Sequence, residues 1–578
     1  VSAHRNRARF CFVVVATLLL VFAGRLIQIQ GVDPNAYAAK ALAASTELTV
    51  LHADRGQILD RDGEPLATSM DARAIIADPK QTAENAPAIA RILASELDVD
   101  YFDAVDKLRR EDSRFVYVAR EVPSYQADRV LAKLSEADIR TGVDTERDAV
   151  RTYPGGTLGA TLIGLVSGET GKGTSGLEGA FDDELSGVDG EASYGATVKG
   201  VRIPLARQTT KEPVPGADVV TTIDRDLQWY ADKRLAAAVR KSRSDWGVAV
   251  TVDLQTMQVL QLSQLPTFDA QDRSTVTPAA MNNRAVQNVY EPGSVQKVVT
   301  MAALADAGLV TPTTRVKIPS ELTLDGFTIS DWWDHGRLRL TAAGVIAKSS
   351  NLGTIALAQQ MDDDTFHDYL SKFGFGQQTG VGLSSESRGI LSPADRWSAA
   401  QKATISFGQG ISVTALQEVA AVAAIANGGR YEAPRLVTEV RQADGTTEQV
   451  EPAATREVVS PEAAKMVTTM MESVTDPDGS AYGVRIPGYR IAGKTGTAWR
   501  VNPDTGRYVR GENTVSFIGF APAEKPRFLT YVVLDNPRGG GSGSGTAGPV
   551  FRDIMQQSLQ RYGIAPSGAR APRTPLEW

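Results

Sequence analysis

The hydropathy pattern opens on an unbroken apolar run over residues 10–24. Arg5, Arg7 and Arg9 precede it, and Arg25 interrupts it before Leu26-Ile27. Fifteen helical residues span about 22 Å, short of the roughly 30 Å hydrocarbon layer. Carried on to Ile29, with Arg25 reaching its charge out to the interface, the helix spans about 30 Å. The pattern therefore predicts a cytoplasmic tail over 1–9 and a single transmembrane anchor over 10–30, oriented N-terminus inside by its basic flank. The rival reading is a cleaved secretory leader, with Val21-Phe22-Ala23 as a loose cleavage site. The apolar pattern continues past that site, which favours the anchor. Both readings export everything after about residue 30.

Residues 34–45 are rich in alanine and predict a helical stalk. Residues 55–63 alternate apolar and polar positions and end in Asp62-Gly63, a hairpin signal. Ile89, Ile92, Leu93 and Leu97 recur at helical spacing within 84–145. Gly and Ser over 155–200 predict short strands and turns. Pro213, Pro215 and Gly216 mark a boundary, so 31–212 forms a first unit and 213–564 a second. The second unit predicts a strand over 217–223, a helix from Asp224, and a hairpin over 247–254 and 258–262. Buried strands come next, at 517–520 and 528–534. A last helix over 550–562 gathers Val550, Phe551, Ile554, Met555 and Leu559 on one face. Strands at both ends with helices between them imply one sheet covered by helices. The Pro/Arg-rich tail, 565–578, is expected to be disordered.

Composition narrows the chemistry. A net charge of −7 argues against a broad nucleic-acid surface. Cys11 is the only cysteine, so neither an intrachain disulfide nor a thiolate metal cluster can form. His4, His52, His335 and His367 lie far apart, with no H-x-x-x-H pair, and a zinc hydrolase is disfavoured. No metal and no cofactor is expected, and catalysis must run on Ser, Thr, Lys, Asp or Glu.

Glu291-Pro292-Gly293-Ser294-Val295-Gln296-Lys297 leads into an apolar run. Proline and glycine break the chain before Ser294, and the residues after it predict a helix. Ser294 then sits at a helix N-terminus with Lys297 one turn on, on the same face. A serine hydroxyl needs a base to take its proton, and a buried lysine of lowered pKa supplies one. Taken alone, Ser-x-x-Lys is a chance pattern on solvated helices. Two further motifs change the weighting. Ser349-Ser350-Asn351 comes directly after a helical stretch over 341–348. Gly493-Lys494-Thr495-Gly496-Thr497 reads as a strand whose glycines mark close approach by another backbone. A peptide could pair along that strand while Lys494 and the threonine hydroxyls meet a carboxylate.

These motifs, in this order, resemble those of the penicillin-binding protein and serine β-lactamase superfamily. The resemblance covers nearly all of the exported chain. Residues 55–63 and Gly176-Leu177-Glu178 look like the N-terminal pedestal, and Thr222-Ile223-Asp224 with Leu227-Gln228 like its junction. Ser406-Phe407-Gly408-Gln409-Gly410, with Thr414 and Gln417, resembles the stretch before the Lys-Thr-Gly strand. It implies an α+β chain: an anchor, an extended mixed α/β pedestal of dimerisation type, then a transpeptidase domain. That domain would combine an antiparallel sheet flanked by helices with an all-helical subdomain.

By resemblance, Ser294 is the acylated nucleophile, Lys297 its base, and Ser349, Asn351 and Lys494 relay protons and position substrate. Backbone N–H groups of Ser294 and Thr497 form the oxyanion hole. Thr495, Gly496 and Thr497 hold the substrate's terminal carboxylate. Ser350 departs from the superfamily's Ser-Asp-Asn pattern, at a position expected to face away from the chemistry. With no glycosyltransferase motif ahead of it, the chain is similar to class B enzymes of the FtsI division type. That implies stem peptides ending in D-Ala-D-Ala as substrate, β-lactams as inhibitors, and a SEDS-family glycosyltransferase among the division proteins as partner. An elongation-type enzyme, a β-lactam sensor, a carboxypeptidase and a β-lactamase are the alternatives.

Three features read as structural or open. Trp332-Trp333-Asp334-His335 could rim the groove, but two tryptophans are more often packing anchors, and packing is the favoured expectation. The glycine-serine stretch 539–545 is expected to be either a cleft border or a surface linker. Asp362-Asp363-Asp364 fits helix capping better than metal binding.

Overall fold

The computed structural model describes residues 2–28, 46–97, 99–139, 141–168, 170–195, 209–502 and 505–578. The stalk expected over 34–45 lies outside them. Ser2–Ile27 is one helix, and its stretch Arg5–Ile27 is long and apolar enough to cross a membrane.

The rest of the chain folds into two compact units whose segments interleave. One gathers residues 1–54, 71–149 and 187–216, the other 55–70, 150–186 and 217–578. In the first, Ala86–Leu97 buries Ala86, Ile89, Ala90 and Leu93. This is the face that the helical spacing predicts. Tyr101–Leu108 and Ser124–Glu136 complete its helical layer, and Val116–Pro123 is a strand. The helical pattern thus occupies only part of 84–145. Short helices, Ala160–Ile163, Gly176–Ala180 and Asp182–Ser186, stand where short strands were expected.

Within the second unit, segments 55–70 and 150–186 are tied to each other by a buried ion cluster. Arg55 Nε and Arg151 Nε donate to opposite oxygens of Glu178 at 2.8 and 2.7 Å, and Arg55 Nη1 meets Asp182 at 2.7 Å. Glu178 is fully buried, and only with both arginines removed would its charge be left uncompensated. Ile58 and Leu59 also pair in parallel with Val219 and Val220. The expected strand over 55–63 shrinks to Ile58–Leu59 before the turn.

The second unit is built on a five-stranded antiparallel sheet. Its strands are β1 (Trp246–Asp253), β2 (Gln258–Leu265), β3 (Ala492–Val501), β4 (Tyr508–Ala521) and β5 (Phe528–Asp535). Their spatial order is β2-β1-β5-β4-β3. The first and last stretches of the unit thus meet in one layer, with β3 at an edge. The helices that matter for the site are α1 (Arg225–Ser242), α2 (Gln296–Asp306), α3 (Ala342–Lys348), α4 (Asn351–Ala358), α5 (Ala415–Ala426) and α6 (Gly548–Arg561). Asp224 caps α1 by accepting from Leu227 N at 3.1 Å. α1 and α6 pack on the sheet, while α2 and α5 are buried along almost their whole length.

The tail departs from its expected disorder. Thr341 Oγ1 donates to Pro575 O at 2.6 Å, and Trp578 Nε1 to Leu340 O at 3.1 Å. Arg315 and Arg339 lie over the Trp578 ring. Low apolar content predicts no core of its own, but a ready-made surface beside α3 gives the segment backbone partners and a ring contact.

Candidate active site

Ser294 sits in the tight turn Gly293–Val295 that runs straight into α2. Gly293 takes φ +55°, and a Cβ there would lie 2.6 Å from the Thr497 carbonyl oxygen on β3. Its N–H donates to Gly408 O at 2.9 Å, and a Cβ on Gly408 would meet Gly293 O at 2.0 Å. Two glycines therefore let three backbones converge, pressing the Ser294 turn against the edge strand. Thr300 Oγ1 donates to Ser406 O at 2.7 Å, bringing the Ser406–Gly410 stretch to the same helix.

Lys297 is fully buried. Its amine donates to Ser349 O at 2.6 Å and Asn351 Oδ1 at 2.8 Å, with Ser349 Oγ at 3.4 Å. Lys494, also fully buried, reaches the Ser349 hydroxyl from β3 at 2.8 Å, with Thr495 O at 3.0 Å. Burial pushes the Lys297 amine down to about 7, against the pull of the nearby Asp331 carboxylate. Lys494 is held well below the usual lysine range by burial and then by Lys297. Two amines this close to one hydroxyl oppose each other's charge, so the arrangement favours a neutral, basic lysine. Ser349 itself, at φ +60°, ends α3 in the left-handed region and turns the chain into α4.

Ser294, half-buried, lines a cavity of about 460 Å³ together with Ser349, Asn351, Thr495 and Thr497. The seven side chains expected to share a site, at 294, 297, 349, 351, 494, 495 and 497, thus converge from the turn into α2, the α3–α4 corner and β3. One detail differs from the helical-spacing expectation. The Ser294 hydroxyl makes no hydrogen bond among the described residues, and the Lys297 amine is occupied by Ser349 and Asn351. The α3–α4 corner offers a carbonyl and an amide oxygen at ideal distance, and such catalytic contacts commonly tighten only with substrate present. Gly496 is buried, and a Cβ there would sit 2.1 Å from Ser516 Oγ; Thr497 Oγ1 donates to Gly496 O at 2.9 Å.

Trp332 is not a packing anchor. It is 72% exposed and lines the cavity, with its indole N–H satisfied by Lys348 O at 3.1 Å and its ring, among the described residues, meeting Trp333 edge-on. The stretch 541–544 lines the same cavity, with Gly543 close against Ser516 O and Gly496 O, so it borders the cleft. Asp362 caps Asp363–Lys372, accepting from Thr365 N at 2.8 Å.

Sequence reasoning missed two carboxylates. Glu291 accepts from Gly410 N at 2.8 Å and Tyr508 OH at 3.1 Å, and burial pushes it up to about 7. Asp331 accepts from Ser350 Oγ at 2.6 Å and from the Asn351 and Leu352 N–H groups. Glu291 stood inside the serine motif without a role. Asp331 carried only the weak signal of an acid beside two tryptophans.

An edge strand, a helix-borne serine and two dry lysines define a site built for acyl transfer. The penicillin-binding protein transpeptidase domain matches residues 247–556, and the penicillin-binding protein dimerisation domain matches 50–221. The chain belongs to the penicillin-binding protein transpeptidase family. It is 35% identical to penicillin-binding protein PbpB of Mycolicibacterium smegmatis, over 100% of this chain and 93% of that protein. It is 33% identical to peptidoglycan D,D-transpeptidase FtsI of Escherichia coli, over 96% and 91% of the two chains. Penicillin-binding protein 3 of Mycobacterium tuberculosis, solved in complex with aztreonam, superposes with a TM-score of 0.72 at 31% identity, covering 92% of this chain and 100% of that one.

Proposed function

We propose that this chain is a peptidoglycan D,D-transpeptidase that cross-links stem peptides during septal wall synthesis. The observation that carries it is the convergence of Lys297 and Lys494, both driven toward neutrality by burial, on Ser349 beside Ser294. Ser294 Oγ attacks the carbonyl carbon between the two D-alanines, and Lys297 accepts the hydroxyl proton. The peptide C–N bond breaks, and the proton passes through Ser349 to the departing D-Ala amine. An acceptor amine then attacks the ester, forming the cross-link and restoring Ser294. Asn351 and Lys494 position the donor peptide, the N–H groups of Ser294 and Thr497 stabilise the oxyanion, and Thr495, Gly496 and Thr497 hold its carboxylate. A β-lactam acylates the same serine but its leaving group stays tethered, so the ester persists.

The anchor holds the catalytic unit outside the plasma membrane, N-terminus inside, where a SEDS-family glycosyltransferase supplies glycan. A functional boundary near residue 213 agrees with a dimerisation match that ends at 221 and a transpeptidase match that starts at 247. The division role rests on the short pedestal, about 180 residues between anchor and catalytic unit. Labelled D-amino acid incorporated along the side wall rather than at septa would replace it with the elongation role. The chemistry is tested with fluorescent penicillin and mass spectrometry of the adduct. Ser294→Ala is expected to lose all labelling with an unchanged melting curve. Unaltered labelling of that variant would refute the assignment.

A further inference from the structure

The middle motif lacks the aspartate of the Ser-Asp-Asn pattern, and the serine in its place is bonded to a carboxylate from another loop. Asp331, 19 residues before Ser350, takes the Ser350 hydroxyl on Oδ2 and the Asn351 and Leu352 N–H groups on Oδ1. Ser350 Oγ in turn accepts from Gly353 N at 2.9 Å, capping α4. The corner that presents Ser349 O and Asn351 Oδ1 to Lys297 is thus tied down by one side chain from a separate loop. Ser330, next to Asp331, fixes the other end of the Asn351 amide, accepting from Nδ2 at 3.1 Å.

His335 closes the arrangement. Its Nε2 lies 3.0 Å from Asp331 Oδ2 and its Nδ1 2.6 Å from Gly336 O, with the two side chains 5% and 0% exposed. Both ring nitrogens face oxygen acceptors, and only a ring carrying two protons satisfies both. Asp331 and His335 therefore form a buried carboxylate–imidazole pair behind the middle motif, an ion pair when the ring carries both protons. The Trp333 ring lies tilted against the imidazole, with centroids 5.2 Å apart and 44° between the planes.

We infer that Asp331, braced by His335, is a positioning residue for the transpeptidase reaction: it fixes Ser349 and Asn351 about Lys297 and sets the balance of charge that the amine meets. The inference rests on Lys297 being the base. The charged groups facing that amine are Lys494 from β3 and Asp331 from the loop before α3, and His335 offsets Asp331 from behind.

The two members of the pair should displace the pH profile of acylation in opposite directions. Asp331→Asn keeps the shape but removes the negative charge, so Lys297 loses its proton more readily and the acid limb moves to lower pH. His335→Gln removes the positive charge that offsets Asp331, so the limb moves to higher pH. Acylation of the full chain by fluorescent penicillin is measured from about pH 5 to 9, with Ser294→Ala and melting curves alongside. The expected result is a fall of about tenfold in the second-order rate for Asp331→Asn, with the two limbs displaced oppositely. Profiles that coincide with the unsubstituted protein, or move the same way, would overturn the inference. Should Asp331→Asn fail to fold, the direction of the His335→Gln limb decides it alone. Labelling that survives in Ser294→Ala would instead sink the underlying reading of the site.

Discussion

The role proposed for Lys297 depends on its being dry. In water a lysine amine is protonated at neutral pH and useless as a base, and burial against Ser349 and Asn351 brings it down to about 7. Acylation should therefore rise with pH through about 7, as the ammonium loses its proton, and level off above it. Stopped-flow acylation across that range is the check, and a rate flat from about pH 5 to 8 would exclude Lys297 as the base. Lys297→Arg should lose about a thousandfold, because a guanidinium stays protonated. Restoration of normal rates in that variant would point to another base.

At the level of elements, the site depends on how closely α2 can approach β3. The Ser294 turn touches the strand through Gly293, whose missing side chain leaves room for Thr497 O. Gly293→Ala must relieve a 2.6 Å approach and leave its left-handed backbone, at a cost of roughly 1–2 kcal/mol for the backbone alone. The helix retreats and Ser294 moves out of line. We expect acylation to fall about a hundredfold with a modest loss of thermal stability. A variant that keeps its acylation rate would show that the contact is incidental. Such contacts explain what was legible in the chain. Pro292-Gly293 before an apolar run marked the start of α2, and the glycines in Gly493-Lys494-Thr495-Gly496 marked a strand with a close neighbour. Asp331 was illegible because its partners are 19 to 21 positions away, with no periodicity linking them. Trp332 misled because aromatic residues are buried more often than not, and nothing local reveals that its indole N–H caps Lys348 O at the surface.

For the molecule as a whole, the catalytic unit carries a stability cost away from the cleft. Glu418 on α5 is fully buried, neither of its oxygens meets a protein donor, and burial pushes it up to about 8. Its folded-state value is raised above the unfolded one, so folding takes up a proton between the two. Stability is then fully present at pH below about 4.5 and declines as pH rises to about 8. Glu418→Gln should remove that slope and stabilise the protein at pH 8 by roughly 4 kcal/mol, read as a larger gain in melting temperature over the parent at pH 8 than at about pH 5. Equal stabilisation at both pH values would mean that the carboxyl is not titrating as a buried acid.

The chain by itself determined the parts that depend on neighbours in sequence. These are the N-terminal apolar helix from its length, the strands and helices of the catalytic unit from their periodicity, and the three motifs from their order. Tertiary structure alone decided which distant groups share a site. It tied 55–70 to 150–186 through Glu178, paired Ile58 and Leu59 with Val219 and Val220, ordered the tail beside α3, and set Asp331 against Ser350 of the middle motif. The physical reason is range. Backbone propensity and hydrophobic periodicity act over a few residues and leave a trace in the sequence. Burial and charge act through space, on groups that the folded chain alone brings together.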